Sequence, residues 1–381
     1  MKRLLLVGAG HAHAQVLRDW TLQPPPATEV VLVAPHALAP YSGMVPGWLA
    51  GTYRDADIGI DFAALAARAR VQLVIGELAA LDPRSRQVEL ASGEVLAYDL
   101  LSLNVGSTLN PPPAKGSARV LPLRPLGELR TRWERLLAEP ALRSDTAPLT
   151  VTAVGGGAAG FEALLAALAR LRGLGLPRSV EGALLSHSPT LLPGLAPGAQ
   201  RAALSALRAA GVCLTLGSAD GDVPDHGLLL WATGAEAHAW QAASGLAVDA
   251  RGFIRIDEGL RSVSHPQVHA VGDCAAWPTP LPKAGVHAVR MGPVLSRNLR
   301  AALGEGQLQR HRPQADFLAL LATADGSAIA SWRGLAAQGR WVWRWKDHID
   351  RRFVRGFAPP PPPPSPPLKP ASPIPAPGES P

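Results

Sequence analysis

The sequence predicts an α/β protein built on two copies of one strand–turn–helix unit, with an aromatic segment and a proline-rich tail behind them. Three observations carry the prediction. Leu4-Leu5-Leu6-Val7 is an apolar run of strand length that meets Gly8-Ala9-Gly10, and the alanine-rich His11-Ala12-His13-Ala14 can open a helix. Leu149–Val154 runs in the same way into Gly155-Gly156-Gly157-Ala158-Ala159-Gly160. Val268-His269-Ala270-Val271 then delivers Gly272-Asp273. A bare glycine turn between strand and helix lets the backbone approach a pyrophosphate, with the N–H groups of the helix's first turn aimed at the anion. The two glycine turns start 147 residues apart, too far for two halves of one unit. The expected fold is therefore α/β with two Rossmann-like dinucleotide-binding domains.

Taken in order, Leu4–Val7, a helix near Ala12–Trp20 and a strand Glu29–Val33 make the first βαβ unit. His13 holds the third fingerprint position, where Gly or Ala is usual, and the second strand ends Ala34-Pro35 without the acid that commonly holds an adenine ribose. Pro40-Tyr41-Ser42-Gly43-Met44-Val45-Pro46-Gly47 reads as an irregular, turn-rich segment, and Tyr98–Ser107 as a buried strand closing in a turn at Gly106. The Glu and Arg spacing of Leu126–Leu137 predicts a surface helix.

The second copy is complete, with Gly155, Gly157 and Gly160 on the fingerprint, a helix Ala163–Leu171 and a strand Gly182–Leu185. That strand ends Ser186-His187-Ser188; with neither an acid nor an arginine there, NADH and NADPH both stay open, and the lack of a fixed cation leans to NADH. Leu228–Trp231 leads to Ala232-Thr233-Gly234 and parallels the strand ending at Gly106, as if both return the chain from one domain to the other. Leu216–His226 is too short and polar for a β-meander, so the second domain reads as trimmed. After Asp273, Pro282–Gly292 opens a helix that runs to Leu303.

Composition narrows the chemistry. The two cysteines, Cys213 and Cys274, are too few and too far apart for a disulfide framework, a redox Cys-x-x-Cys or a cysteine zinc site, and no metal site is expected. No apolar run reaches the roughly 18 residues of a spanning helix, and the start of the chain makes a poor signal peptide, so the default location is cytoplasmic. Residues 297–357 carry 11 Lys and Arg against 5 Asp and Glu, six of the net +7 charges. Such a local excess argues for an anionic surface near this segment rather than for a nucleic-acid-binding protein. The same segment holds four of the ten tryptophans. If Arg340–Phe357 is helical, Trp341, Trp345, Ile349 and Phe353 form one apolar stripe, which suits a membrane interface or packs on the protein's own body or a second copy. The run Pro359–Pro364 and the Pro, Ser and Ala residues after it form a polyproline-type tail unable to build a core, though able to dock a partner with a groove for such a helix.

With both fingerprints, the Ala-Thr-Gly return and Gly272-Asp273 in place, residues 3–357 resemble the flavoproteins with two dinucleotide-binding domains, nearest in kind to type II NADH dehydrogenases. More narrowly, Gly-His-Ala-His at 10–13, Pro-Tyr-Ser-Gly-Met at 40–44, Pro-Lys-Ala-Gly-Val at 282–286 and Trp-Arg-Trp-Lys-Asp at 343–347 resemble the pyridine-nucleotide oxidoreductases associated with selenide water dikinase.

The resemblance implies an FAD-binding domain in two parts, 1–125 and 235–305, an NAD(P)-binding domain at 148–234 set between them, a C-terminal interface segment at 306–357 and a disordered tail at 358–381. It also implies FAD contacts from Gly8, Gly10, His11, His13, Ser42, Gly43, Gly106, Gly272, Asp273, Lys283 and Val286. Gly8, Gly10 and His11 would meet the pyrophosphate and Asp273 the ribityl or phosphate side. The helix starting near Lys283–Val286 would aim its N-terminal dipole at the flavin pyrimidine. NAD(P)H would meet Gly155, Gly157, Ala159, Gly160 and Glu162, the last near the nicotinamide, with Thr233 and Gly234 at the domain junction.

The implied reaction passes a hydride from NADH or NADPH to FAD and electrons on to a quinone, a soluble carrier or a selenium compound. No catalytic side chain of its own is required, because the flavin supplies the chemistry. The expected partners are that small acceptor and, through 340–357, the inner face of the cytoplasmic membrane or a second copy; nucleic acid is not among them. The competing reading is a redox-silent nucleotide-binding scaffold that docks through the proline tail, which the missing ribose acids favour.

Overall fold

The computed structural model describes residues 1–25, 27–219, 222–314 and 316–359. Most of the proline tail expected at 358–381 lies outside the described residues.

Continuous apolar runs make strands buried on both faces, and these pair in parallel. The strands β1 (Lys2–Val7), β2 (Thr28–Ala34), β3 (Gln72–Ile75), β4 (Leu100–Leu103) and, much later, Val268–Ala270 form one parallel sheet in the order β3-β2-β1-β4 and then Val268–Ala270. A second parallel sheet repeats the plan from β5 (Arg119–Pro122), β6 (Leu149–Val154), β7 (Val180–Ser186), β8 (Val212–Leu216) and β9 (Leu228–Trp231), in the order β8-β7-β6-β9-β5. Helix α1 (His11–Trp20) follows the first glycine turn. Helices α2 (Leu126–Ala138) and α3 (Ala158–Arg172) belong to the second domain, and α4 (Gly285–Leu303) returns to the first. Each sheet carries its own core, one centred on Leu4–Val7, Val31–Val33 and Leu101, the other on Val151–Val154, Phe161 and Leu228–Leu230.

Because the strand Val268–Ala270 joins β4, the second sheet is inserted into the first domain. The chain crosses twice, and the crossings are tied by an antiparallel bridge in which Thr108 and Glu236 exchange backbone hydrogen bonds of 2.9 and 3.0 Å. The first part of the FAD-binding domain, expected to run to residue 125, gives its last strand to the other sheet: Arg119–Pro122 pairs with β9, and Leu121 and Leu123 bury in the second core. A four-residue strand with proline at its end carries no mark of which sheet it joins. Helix α2 has a solvent face with a Glu128–Arg132 ion pair at 2.5 Å, yet it is anchored in the second core through Leu129, Trp133 and Leu136. Among the described residues the second sheet carries no antiparallel strands, in keeping with the trimmed domain expected from 216–226.

In the C-terminal segment strands precede the helix read over Arg340–Phe357. Ala319–Ala322, Ala328–Trp332 and Leu335–Gly339 form an antiparallel meander before α5 (Arg340–Arg355). Its alanine-rich strands are short, and Ile329 is the one β-branched residue among them, so they carry little of the composition that signals a strand. Helix α5 turns a polar pair inward and most of its apolar stripe outward. Its buried residues are Val342, Lys346 and Asp350, while Trp341, Trp345 and Ile349 are 58%, 41% and 38% exposed. Only Phe353 of the stripe packs inward, on Tyr41 with ring centroids 4.6 Å apart. Packing of the whole stripe on the protein's own body is thereby corrected. The charged pair Lys346–Asp350, with its ammonium and carboxylate 2.6 Å apart, fixes which face looks in.

Candidate functional site

In the first domain, β1 ends at Gly8, whose φ of +100° no side chain adopts without strain. Its N–H donates to the Val33 carbonyl at 2.8 Å, so the turn lies directly beside the end of β2. A Cβ at Gly8 would strike the Asn104 backbone, and one at Gly10 would strike the Asn104 side chain. Asn104, marked in the sequence only by its place after β4, holds this turn. Its Oδ1 accepts the N–H groups of Ala12 and His13 at 3.0 and 3.2 Å, and its Nδ2 donates to the Val271 carbonyl at 3.0 Å.

His13 is fully buried, with Nδ1 2.7 Å from the Gly8 carbonyl and Nε2 2.8 Å from Ser102 Oγ. Both nitrogens are engaged within the protein, so His13 braces the glycine turn from beneath and the expected cofactor contact is corrected. A small residue in this slot lets a helix approach its strand; here an imidazole fills the gap with two hydrogen bonds.

His11 faces the other way. Its ring stands edge-on to Tyr41 at 5.2 Å and Phe353 at 6.0 Å, and the Ser42 N–H points at its Nε2 from 3.5 Å. A Cβ on Gly285, at the start of α4, would lie 2.8 Å from Ser42 Oγ and 3.7 Å from the His11 ring. The expected FAD residues His11, Ser42 and Gly43 therefore converge with the N-terminus of α4, next to Val286. Asp273 stands in the turn after Val268–Ala270 and is ion-paired with Arg124, whose guanidinium also donates to Ser107 Oγ at 2.5 Å. Arg124 follows β5 and stands in no motif of the sequence. Lys283 precedes α4 rather than opening it: its ammonium donates to the Ala275 carbonyl at 2.6 Å and sits 3.7 Å over the Phe253 ring, where burial lowers its pKa.

Burial lowers His11, His13 and His269 to pKa values of about 4. The unfolded chain therefore binds more protons than the folded one between about 4 and the ordinary 6.5, and stability falls as pH drops through that window. Melting temperature is expected to decline from pH 6.5 to 4, at roughly 2–4 °C per kcal/mol lost, and His13→Gln should flatten the decline. An unchanged slope in that variant would refute the assignment.

The second turn repeats the first. Gly155 has φ +126°, and a Cβ there or on Gly160 would collide with the Ala232 or Gly155 carbonyl. At Gly157, the cap of α3, a Cβ would meet nothing within 4 Å, so the space before the helix is open, and Ala159 in its first turn is exposed. Thr233 and Gly234 follow β9 at the same end of the sheet. These glycine turns at two parallel-sheet switch points are cradles that fit dinucleotides.

Glu162 departs from the turn. It lines a small cleft with Gly47, Tyr53, Ala322, Trp343 and Lys346, which brings together the first domain, the second domain and the C-terminal segment. The Ala322 N–H donates to its Oε1 at 2.7 Å, and burial pushes its pKa up to about 7 against the pull of Lys346. The Lys346 ammonium also donates to the Gly43 carbonyl at 2.6 Å, and the Tyr41 hydroxyl donates to Asp350. Burial raises the pKa of Asp350. A buried polar route thus runs from Glu162 through Lys346 and Asp350 to Tyr41, whose ring meets that of His11 edge-on.

A model of the pyridine nucleotide-disulphide oxidoreductase family matches residues 2–292. Among solved structures the chain is similar to the sulfide:quinone oxidoreductase of Aquifex aeolicus, with a TM-score of 0.72 at 15% identity over 94% of this chain and 91% of that one. It is similar to NDH2 of Plasmodium falciparum, solved with NADH, with a TM-score of 0.72 at 12% identity over 93% and 98% of the two chains. The water-forming NADH oxidase of Lactobacillus brevis, bound to NADH, gives 0.65 at 19% identity over 87% and 75%. At these identities the likeness is one of fold.

Proposed function

This chain belongs to the pyridine nucleotide-disulphide oxidoreductase family, an enzyme of FAD and NAD(P)H, and from that premise we propose that it passes electrons from NAD(P)H to a small two-electron acceptor, a quinone for preference. The carrying observation is the cleft in which Glu162 meets Lys346, which is hydrogen-bonded to the Gly43 carbonyl and, through Asp350, to Tyr41. No cysteine pair takes part: Cys213 lies in β8 of the second sheet, and Cys274 lies beside the first, its thiol pushed up to about 11 by burial.

FAD would be held by the Gly8–Gly10 turn, the backbone at 42–43, Gly106, Gly272 and Asp273, and NAD(P)H by Gly155–Gly160, Thr233 and Gly234. The bound flavin supplies the two-electron chemistry that links nicotinamide to acceptor. A quinone needs two electrons and two protons, and a nicotinamide brings two electrons with one proton. Glu162, with a pKa of about 7, holds a proton at neutral pH beside Lys346 and can give it to an acceptor docked at the mouth of the cleft. Asp350 and Tyr41 keep the Lys346 ammonium in place, and Trp343 and Tyr53 exclude water. The motifs shared with the selenide-associated subgroup support a selenium compound as the second acceptor to try. The first test is a flavin spectrum from the purified protein, with NADH oxidation followed with and without a quinone analogue; no flavin retained and none reconstituted would end the reading.

The exposed ladder of α5 supports attachment to an anionic lipid surface. Trp341 and Trp345 stack at 6.4 Å in the open, with Ile349 beside them and exposed Arg340, Arg344, Arg352 and Arg355 around them. No helix of the described residues is long and apolar enough to cross a membrane. Changing Trp341, Trp345 and Ile349 to Ser is expected to cut sedimentation with anionic liposomes about tenfold and to leave the melting temperature within a few degrees, since the three are exposed. Undiminished sedimentation would assign the ladder to another partner, such as a second copy.

A further inference from the structure

Helix α4 carries His287 and Arg290 three positions apart, a spacing that puts both on one face. His311 comes to the same place from beyond the helix, its N–H donating to the Glu258 carbonyl at 2.8 Å. Trp277 stands edge-on to His311 at 5.2 Å and Phe317 edge-on to His287 at 5.6 Å, so aromatic rings flank the cluster. None of these residues lines the Glu162 cleft.

His287 and His311 are 7% and 6% exposed, and the Nε2 atom of each is buried without a hydrogen-bond partner. Nη1 of Arg290 is buried and unpartnered as well. Burial lowers the pKa of both histidines and Arg290 lowers both further, so the three groups share one electrostatic neighbourhood. A guanidinium is a permanent cation that only donates. The acids around the cluster are engaged elsewhere: Asp273 with Arg124, Glu258 with Arg310 and Asp316 with Arg333. Among the described residues no ion pair reaches Arg290, and Lys283 adds positive charge beside His287. A buried donor without an acceptor bears the full cost of its lost hydration, and a charged donor bears more. The complement of three such nitrogens side by side is a compact anion with several acceptor oxygens.

We propose that His287, Arg290 and His311 form a binding site for a small oxyanion of the phosphate or sulfate kind, at the side of α4. The ion supplies the acceptors that the chain itself lacks here and balances the charge of Arg290. Arg290 is only half-buried, which leaves the way in at its end of the cluster. The site uses none of the residues assigned to either dinucleotide, so it stands apart from the FAD reading.

The test is calorimetric titration and thermal melting of the full-length protein with inorganic phosphate, in the presence of FAD and NAD⁺ to fill the glycine turns. Sodium chloride at matched ionic strength is the control. Phosphate should bind wild type and raise its melting temperature where chloride does not, and Arg290→Gln and His311→Gln should each weaken binding by roughly 10-fold or more. Arg290→Lys, which keeps the charge, should bind better than Arg290→Gln. Because Arg290→Gln removes an unpaired cation, it should melt no lower than wild type in phosphate-free buffer. A variant that melts lower there gives Arg290 a structural role and overturns the site. Equal stabilisation by chloride, no binding to wild type, or variants that bind phosphate as tightly as wild type would overturn it too.

Discussion

Gly8→Ala is expected to give a protein that folds its second domain and retains no flavin. The φ of +100° costs an L-residue on the order of 1–2 kcal/mol, and the new methyl would collide with the Asn104 backbone. Asn104 cannot yield freely, because it ties the first turn of α1 to Val271. The collision pushes apart the surfaces on which the pyrophosphate would lie, and FAD affinity should fall by on the order of 100-fold or more. Gly93→Ala is the control. It sits at φ +86° with nothing within 4 Å of an added Cβ, so it carries the backbone penalty without the collision. Flavin titration of the two variants separates the effects, and equal FAD affinity in Gly8→Ala and wild type would disprove the proposed cradle.

Glu162→Gln should divide the reaction in two. Reduction of bound flavin by NADH under anaerobic conditions is expected to continue near the wild-type rate, because that step draws no proton from the cleft. Reoxidation by a quinone analogue should slow by about 100-fold, the usual scale for removing a general acid. The sign of the pH dependence comes from the raised pKa. Glu162 is protonated below about 7, so wild-type reoxidation should fall as pH rises through 7, and the variant should lose that fall. The same shift makes the folded state bind more protons than the unfolded chain between the ordinary carboxylate range and 7. Its contribution to stability is therefore lost as pH rises through that window. Stopped-flow traces showing both half-reactions slowed equally would make Glu162 a structural residue of α3.

Much of the plan is legible in the sequence because strand and turn speak locally. Leu149–Val154 and Leu228–Trp231 fall on the strands the apolar runs predict, and both glycine turns take the positive φ that their composition suggests. What stays hidden depends on distant parts of the chain. Asn104 and Arg124 become important only when β4 and β5 bring them beside α1 and Asp273, and neither stands in a recognisable motif. His13 reads as a cofactor contact because the fingerprint is taken along the chain, whereas Ser102 approaches it from another strand. Glu162 sits one helical turn past the second glycine turn in sequence, yet its surroundings come from Ala322 and Lys346. The apolar stripe of α5 has the predicted period. Its direction is not readable, since a buried Lys–Asp pair can outweigh exposed tryptophans only through partners elsewhere, among them the Gly43 carbonyl and Tyr41.

That inside-out helix sets a rule for how the sequence can drift. Replacing Lys346 alone leaves the Asp350 carboxylate buried without its cation, a loss of roughly 3–5 kcal/mol, whereas exchanging both for apolar residues of similar volume costs the fold less, though it takes the ammonium from Gly43 and Glu162. Each single step between the two viable states is deleterious. In related sequences that keep this helix, positions 346 and 350 should co-vary as a couple, and a substitution at one should be found with a compensating change at the other.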